Sequence, residues 1–491
     1  MENISKHILP KAIAALFILA GSLTSVAADY SSNYDNLPFK ASVPTMPEIP
    51  ELKVSITDFG GKGDGITSNT SSFATAIEHL SSKGGGHLIV PEGVWITGPI
   101  VMKDNIDLHI EKNAILLFSD NKEEFPILPP DEGTGGKLVQ PLISAYHQSN
   151  FSITGSGIID GNGEAWRPIK RFKVSDAEWK KLNRKLKLKE CDYEGSNVWF
   201  PVKSDAETVE TKRPRLIRLI GCERFLIQGV VVQNSPSFHV NMILSHDFVL
   251  DGVMVRCPWN AQNGDGIDLS SCRNALIVNC SVDAGDDAIC LKSGTGDTGR
   301  KRGACSNIVI NNCTVFHGHG GFVIGSDNSG GMNNISVTNC RFIDTDTGLR
   351  FKSGRDRGGL MTDIFVDNIM MCDIADEAIL FDCYYQEKVG DAADAPAAPV
   401  TANTPRFDGI TIKNIVCRDA HRAILIKGLP EMNVKNVTIE NCTFTAQRGA
   451  TLNHATNIKL ENVTFNIDET QAITSHGSSD IVGTNVTVLT K

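Results

Sequence analysis

Six side chains, spread over about 90 residues, have the types and the order that acid/base chemistry on a charged substrate requires. Asp265 lies in NGDGID (263–268), Asp286 and Asp287 in GDDAICLKSG (285–294), His319 in GHGG (318–321), and Arg350 and Lys352 in TGLRFKSGR (347–355). Carboxylates held close together cannot all ionise easily, so at least one pKa among Asp265, Asp286 and Asp287 is expected to rise. A protonated carboxyl can then serve as general acid while an ionised neighbour serves as base, the arrangement that glycoside hydrolysis uses. Arg350 and Lys352 alternate onto one side of a strand, where together they form a clamp for a substrate carboxylate. Adjacent Asp286 and Asp287 would point to opposite sides of a regular strand, so both can face one cleft only if the strand bulges or turns, which Gly285 eases. Taken singly, an Asp-Asp pair, a GHG or an RFK is usually a turn or a surface strand. Four such sets in order are not.

Something must bring these distant residues together, and the chain repeats itself in a way that does so. Two or three β-branched residues at alternate positions, then Asn or Gly, then a small apolar residue recur in FLIQGVVV (225–232), FVLDGVMV (248–255), ALIVNCSV (275–282), IVINNCTV (308–315), ISVTNCRF (335–342), IFVDNIMM (364–371), ITIKNIVC (410–417), VTIENCTF (437–444) and IKLENVTF (458–465). Aligned on the residue after Asn or Gly, the copies begin at Val230, Val253, Cys280, Cys313, Cys340, Ile369, Ile415, Cys442 and Val463. Short strands every 20 to 30 residues, without long amphipathic helices between them, match a parallel β-helix. Its coils stack at about 4.8 Å, and nine or ten of them make a rod roughly 45 Å long. Residues that follow the same turn in neighbouring coils then share a face, which places Asp265 one coil from Asp286. The many Asn-x-Ser/Thr triplets, Asn436 and Asn462 among them, read as turn and ladder asparagines.

Composition sets the wider limits. The formal charge is −10 over 491 residues, which disfavours nucleic acid as a partner. Residues 1–28 read as a signal peptide: Lys6 and Lys11 precede the apolar run 12–20, and small residues follow at 25–28. The expected protein is exported, periplasmic or extracellular, without a membrane span, and a monomer. Residues 29–50 are read as an N-terminal linker and 51–491 as a single β-helix domain with inserts at about 161–215 and 385–405. SFATAIEHL (72–80) has helical spacing, with Ser71 or Ser72 as N-cap, and would cover the open end of the rod. SDAEWKKLNRKLKLKE (175–190) reads as a basic helix or lid, its charges a solvated face or a contact for an anionic ligand. The thirteen cysteines, several at one repeat position, read as unpaired thiols stacked in the core, with one or two bridges left open. Neither zinc nor any other cofactor is indicated. Lys292, Arg300, Lys301, Arg302, Arg350, Lys352, Arg355 and Arg357 fall in the site-bearing coils, and predict a basic groove on an acidic body.

The series NGDGID, GDDAICLKSG, GHGG and RFK resembles the signature of glycoside hydrolase family 28, the polygalacturonases, usually seen as NTD, DD, GHG and RIK. NSPSFHV (234–240), GSDNSGG (325–331) and FGGKGDGITSN (59–69) also look like stretches of that family, and the resemblance covers most of residues 50–490. It implies an all-β, right-handed parallel β-helix and hydrolysis of α-1,4-galacturonosyl linkages in homogalacturonan with inversion at the anomeric carbon. It makes Asp286 the general acid and has Asp265 and Asp287 position and deprotonate the water. His319 supports the protonation state of the acid, Asn263 binds near the cleavage point, Arg350 and Lys352 hold a galacturonate carboxylate, and Tyr385 falls about where the family has a substrate-contacting tyrosine. Lys292 joins the substrate-binding set as the cation of the GDDAICLKSG segment. Two departures stand out: Gly264 replaces the usual Thr and Phe351 the usual Ile.

Three other readings compete. A rhamnogalacturonan or other pectic hydrolase would use the same scaffold, but Arg350 and Lys352 favour a uronate beside the cut. A pectate lyase would need calcium and a base near pH 8–9. A catalytically silent carbohydrate-binding solenoid has no use for three aspartates. The inserts favour exo action by walling off one end of the groove.

Overall fold

The computed structural model describes residues 29–491, apart from 134–135, 186–190, 194–195, 200, 202–212, 386, 388, 392 and 491. The sequence-predicted signal peptide therefore lies outside the described residues. The chain forms a right-handed parallel β-helix. Its principal sheet contains 35 strands, nearly all paired in parallel with the strand one turn away. The nine repeat positions form one column: Val230, Val253, Cys280, Cys313, Cys340, Ile369, Ile415, Cys442 and Val463 all follow from the register of adjacent strands, and all are buried.

The reason for the asparagines is visible in the backbone. Asn279, Asn312, Asn339, Asn368, Asn414, Asn441 and Asn462, each immediately before a column residue, have φ between 53° and 56°. Asparagine tolerates this left-handed corner better than other L side chains, and Gly229 and Gly252 occupy the equivalent corners. The side chains also bond rung to rung: Asn312 donates to Asn279 at 2.8 Å, Asn368 to Asn339 at 2.7 Å, and Asn462 to Asn441 at 3.0 Å.

The rod is longer than the repeats suggest. One line of strands runs through fourteen rungs, from Lys53–Ser55 to Ser479–Thr484, which at about 4.8 Å per step is roughly 60 Å. The first rungs escape the pattern because their corners are longer. In one, Glu111 and Lys112 precede the left-handed Asn113 and the buried Ala114.

Inside the rod, aliphatic and aromatic ladders exclude water. Phe225 stacks on Phe248 at 4.6 Å between ring centroids. Phe351, at the position where the family usually has Ile, points inward, stacks on Phe381 at 4.4 Å and meets Phe322 and Phe407 edge-on. The twelve described cysteines are unpaired thiols, eleven of them buried, and Cys280, Cys313 and Cys340 follow one another on successive rungs.

The helix Thr70–Ser82 packs Phe73, Ala76, Ile77 and Leu80 on the first strands and caps that end. Its N-cap is Asn69, not the expected Ser71 or Ser72, and Ser72 belongs to the buried face. Asn69 turns its amide to the carbonyls of Lys62, Thr67 and Ile96 at 2.9–3.1 Å, tying the helix start to neighbouring loops. Residues 29–50, expected as a linker, are instead docked along the flank of the rod. Tyr30 is buried against Val249, Leu276, Val278 and Val309, and its hydroxyl donates to Asp251. Phe39 meets Phe365, and Glu48 exchanges hydrogen bonds with Asn150.

The first insert carries a small antiparallel sheet of Ile169–Lys170, Cys191–Tyr193 and Ser196–Trp199, with the helix Asp176–Lys185. The last five residues of the helix expected over 175–190 lie outside the described residues. The second insert is tied back by Arg355 to Glu387 and by Arg422 to Asp391. Among the described residues, no helix is long and apolar enough to cross a membrane.

Candidate active site

Stacking brings the predicted acids together. The pairing of Ile267 with Ile289, and the hydrogen bond from Gly266 N to Asp287 O at 3.0 Å, set Asp265 one rung from Asp286 and Asp287. Asp287 in turn lies level with Gly320 on the next rung, and Phe322 with Leu349 on the one after. The aspartates, His319 and Arg350 thus occupy four successive rungs. Regular alternation does fail at the pair, as expected. Ile289 is a core residue, yet Asp287, two positions earlier, reaches Lys352 outside the core.

Glycines shape this wall by close approach. A Cβ on Gly285 would sit 2.7 Å from the Pro258 carbonyl oxygen, so the residue lets two turns touch. At Gly264 it would lie 2.8 Å from Cys257 Sγ and 3.0 Å from Ala261 Cβ. The threonine usual at that position has no room here, and the departure belongs to a local repacking around Cys257.

Exposure separates the three aspartates. The Asp286 side chain is 20% exposed, whereas those of Asp265 and Asp287 are 4% and 3% exposed. Asp286 Oδ1 lies 3.0 Å from His319 Nδ1. Asp287 is held by Lys352 Nζ at 2.7 Å and Arg350 Nη1 at 3.3 Å. Lys292 bridges Asp265, at 3.2 Å, and Asp268. Lys352 is itself almost wholly buried, with its Nζ 5.1 Å from the centre of the Tyr385 ring. Asn263 accepts from Arg213 Nη2 at 2.9 Å, in a left-handed corner with φ 52°.

The electrostatics divide the cluster in two. Burial, reinforced by Asp268, pushes the Asp265 carboxyl well above its ordinary range against the pull of Lys292, and Asp268 rises for the same reason. One oxygen of each, Asp265 Oδ1 and Asp268 Oδ2, has no hydrogen-bond partner among the described residues. Burial also acts on Asp286, but the hydrogen bond and charge of His319, with Lys352 and Lys292, outweigh it and hold the carboxyl low. Asp287 is lowered in the same way, chiefly by Lys352 and then Arg350. A carboxyl of the cluster does rise, but it is the buried Asp265 and its neighbour Asp268, while Asp286, hydrogen-bonded to His319, is held low.

Asp286, Asp287 and His319 bring ligand atoms within 4.8 Å of one another. A metal ion there would meet Lys352 and Arg350, which already neutralise Asp287. The donor set is therefore better suited to proton transfer than to holding a cation.

Several functional neighbours were not singled out from the sequence. Asp268 lies in the quoted NGDGID, and the alternation with the core residues Ile267 and Leu269 placed it on the outer face. Phe172 and Lys173 of the first insert, with the exposed Trp259, line a cavity of about 580 Å³ beside Gly285, His317, His319 and Asp346. No periodic signal links that insert to the wall. The basic groove is less open than predicted. Arg300 pairs with Asp297, Arg355 with Glu431, and Arg357 with Asp327, so much of the expected positive charge is neutralised inside the chain.

Residues 189–460 match the family model described as glycosyl hydrolases family 28. The chain belongs to this family. It is 28% identical over 403 residues to a protein of Vitis vinifera named "Probable polygalacturonase", covering 79% of this chain and 74% of that one. It is also 28% identical over 414 residues to the "Exo-poly-alpha-D-galacturonosidase" of Dickeya chrysanthemi, covering 81% and 67% respectively. Among solved structures, the hyperthermoactive exopolygalacturonase of Thermotoga maritima superposes with a TM-score of 0.72 at 29% identity, covering 86% of this chain and 94% of that one. The chain is a glycoside hydrolase.

Proposed function

We propose that this family 28 hydrolase cleaves α-1,4-galacturonosyl linkages of pectic homogalacturonan by a single inverting displacement. The observation that carries the reading is the Asp286–His319 pair, open to the groove, one rung from the buried Asp265 and flanked by cations suited to a uronate. Asp286 protonates the leaving oxygen. His319, with Nδ1 at 3.0 Å from its carboxyl, hydrogen-bonds it and supports its protonation state. Asp287, kept ionised by Lys352 and Arg350, and Asp265 position the water, and Asp287 receives its proton. Arg350 receives a galacturonate carboxylate with its partly exposed guanidinium. Lys352 shares its charge between that carboxylate and Asp287, Tyr385 packs over Lys352, Lys292 holds Asp265, and Asn263 lines the cleavage point. No step calls for a cofactor.

Exo action is the finer part of the proposal. The first insert brings Phe172 and Lys173 against the groove beside His319, and the names of the Dickeya and Thermotoga relatives favour exo action. Export through the signal peptide, to periplasm or medium, and a monomeric state complete the reading. The deciding assay is reducing-end release from polygalacturonate with the products resolved by size. Mono- or digalacturonate from the start supports exo action. A ladder of oligomers with a rapid fall in viscosity supports endo action, and no release overturns the hydrolase reading. The anomer first released, read by proton NMR, tests inversion.

A further inference from the structure

Arg215 stands in the same column of the wall as the catalytic acids, two rungs before Asp265. Leu216 N donates to Phe238 O, and His239 N donates to Asp265 O, so Arg215, Phe238, Asp265 and Asp287 follow one another rung by rung. Arg350 lies beyond Asp287 on the far side. Three other cations near this stretch have an acid or an amide to hold them. Arg218 pairs with Asp131 at 3.1 Å, Arg213 bonds Asn263 Oδ1 and the Gln262 carbonyl, and Lys292 bridges Asp265 and Asp268.

Arg215 differs. Among the described residues its guanidinium makes neither a hydrogen bond nor an ion pair, and its Nε is buried without a partner. It rests on the Phe238 ring, 5.0 Å from guanidinium carbon to centroid, and that ring separates it from Lys292 at 4.8 Å. Burial and the nearby Arg218 and Arg213 disfavour its charge, while Asp268 and Asp265 are near enough to be felt. A second orphan lies near it. The Tyr146 hydroxyl is buried with no hydrogen-bond partner among the described residues, and it feels the charge of Arg215. An unpaired guanidinium and an unpaired hydroxyl on one wall suit an anionic ligand, because burying either without a partner costs stability.

We propose that Arg215 receives the carboxylate of a galacturonate unit on the side of the cut opposite Arg350, so that the two arginines bracket the scissile bond. The proposal rests on the galacturonan reading above. It gives the enzyme a requirement for free carboxylates on both sides of the bond, since a guanidinium fork recognises a carboxylate and not its methyl ester.

The test is steady-state kinetics of wild type, Arg215→Gln and Arg215→Lys on trigalacturonate, with melting temperatures measured alongside. The expected result for Arg215→Gln is a KM raised about 10- to 100-fold, with kcat within about threefold and a melting temperature equal to or above wild type. Arg215→Lys should recover part of the KM. An unchanged KM for Arg215→Gln in an active enzyme overturns the receptor and leaves the hydrolase reading standing. A melting temperature that falls while KM holds assigns Arg215 a structural role, and likewise overturns it. A wild type that releases nothing from galacturonate chains sinks both readings together. If Arg215→Gln does not fold, Arg215→Lys decides alone: a KM equal to wild type overturns the fork, and a rise of severalfold supports it.

Discussion

Asp286 Oδ1 and His319 Nδ1 are 3.0 Å apart, and this contact is made across a rung of the β-helix by residues 33 positions apart in the chain. It holds the most exposed acid of the cluster low while the buried Asp265 is driven up. The first consequence concerns activity. Asp286→Asn is expected to lower kcat by at least about 10³-fold with little change in KM, because protonation of the leaving group is needed only in the transition state. Reducing-end release under saturating polygalacturonate checks it.

The opposite pKa directions predict opposite effects on stability. Asp265 has a raised folded pKa, so the native state binds more protons than the unfolded state from about pH 4 upward, and stability falls as pH rises through that window. Asp286 has a lowered folded pKa. Its contribution is present above about pH 4 and is lost as pH falls through the folded value. At pH 7, Asp265→Asn should therefore raise the melting temperature, and Asp286→Asn should lower it. Calorimetry of both variants at pH 7 reads the two signs, and equal signs would contradict the division of the cluster.

Arg350 and Lys352 should separate kinetically. Lys352 is buried and paired with Asp287 at 2.7 Å, so Lys352→Ala leaves a buried carboxylate uncompensated and is expected to lower kcat as well as stability. Arg350 keeps exposure to the groove and only a 3.3 Å contact with Asp287, so Arg350→Ala should act mainly on KM. A pair of Michaelis curves on trigalacturonate, with melting temperatures, distinguishes the two.

Phe351 predicts a purely structural effect. Its ring lies in the core against Phe381, Phe322 and Phe407, so Phe351→Ala should destabilise by about 3–5 kcal/mol, whereas Phe351→Ile should cost less. Urea denaturation of the two variants measures the difference.

What the sequence made legible follows from what repeats. The column from Val230 to Val463 depends only on a fixed offset from a periodic corner, and Asp265, Asp286, His319 and Arg350 are grouped because they follow the same turn of successive rungs, which the parallel register stacks. What was hidden depends on contacts with no period. The choice of Asp265 over Asp286 as the raised carboxyl is made by burial reinforced by Asp268 at the one and by the hydrogen bond and charge of His319 at the other. Phe172 and Lys173 arrive from an insert that breaks the repeat. The open basic groove failed for a related reason: charge counted along a chain says nothing of the acids that Arg355 and Arg357 meet on other turns.

The docked segment 29–50 has a mechanical consequence. In a stack of turns each touching only the next, loss of structure can creep inward from either end. A strip of chain fastened at Asn150, Asp251, Asn311 and Phe365 lashes together turns that never meet directly. Peeling one turn then strains several fastenings at once. The middle of the rod, where the acids sit, should melt in a single step and not by fraying.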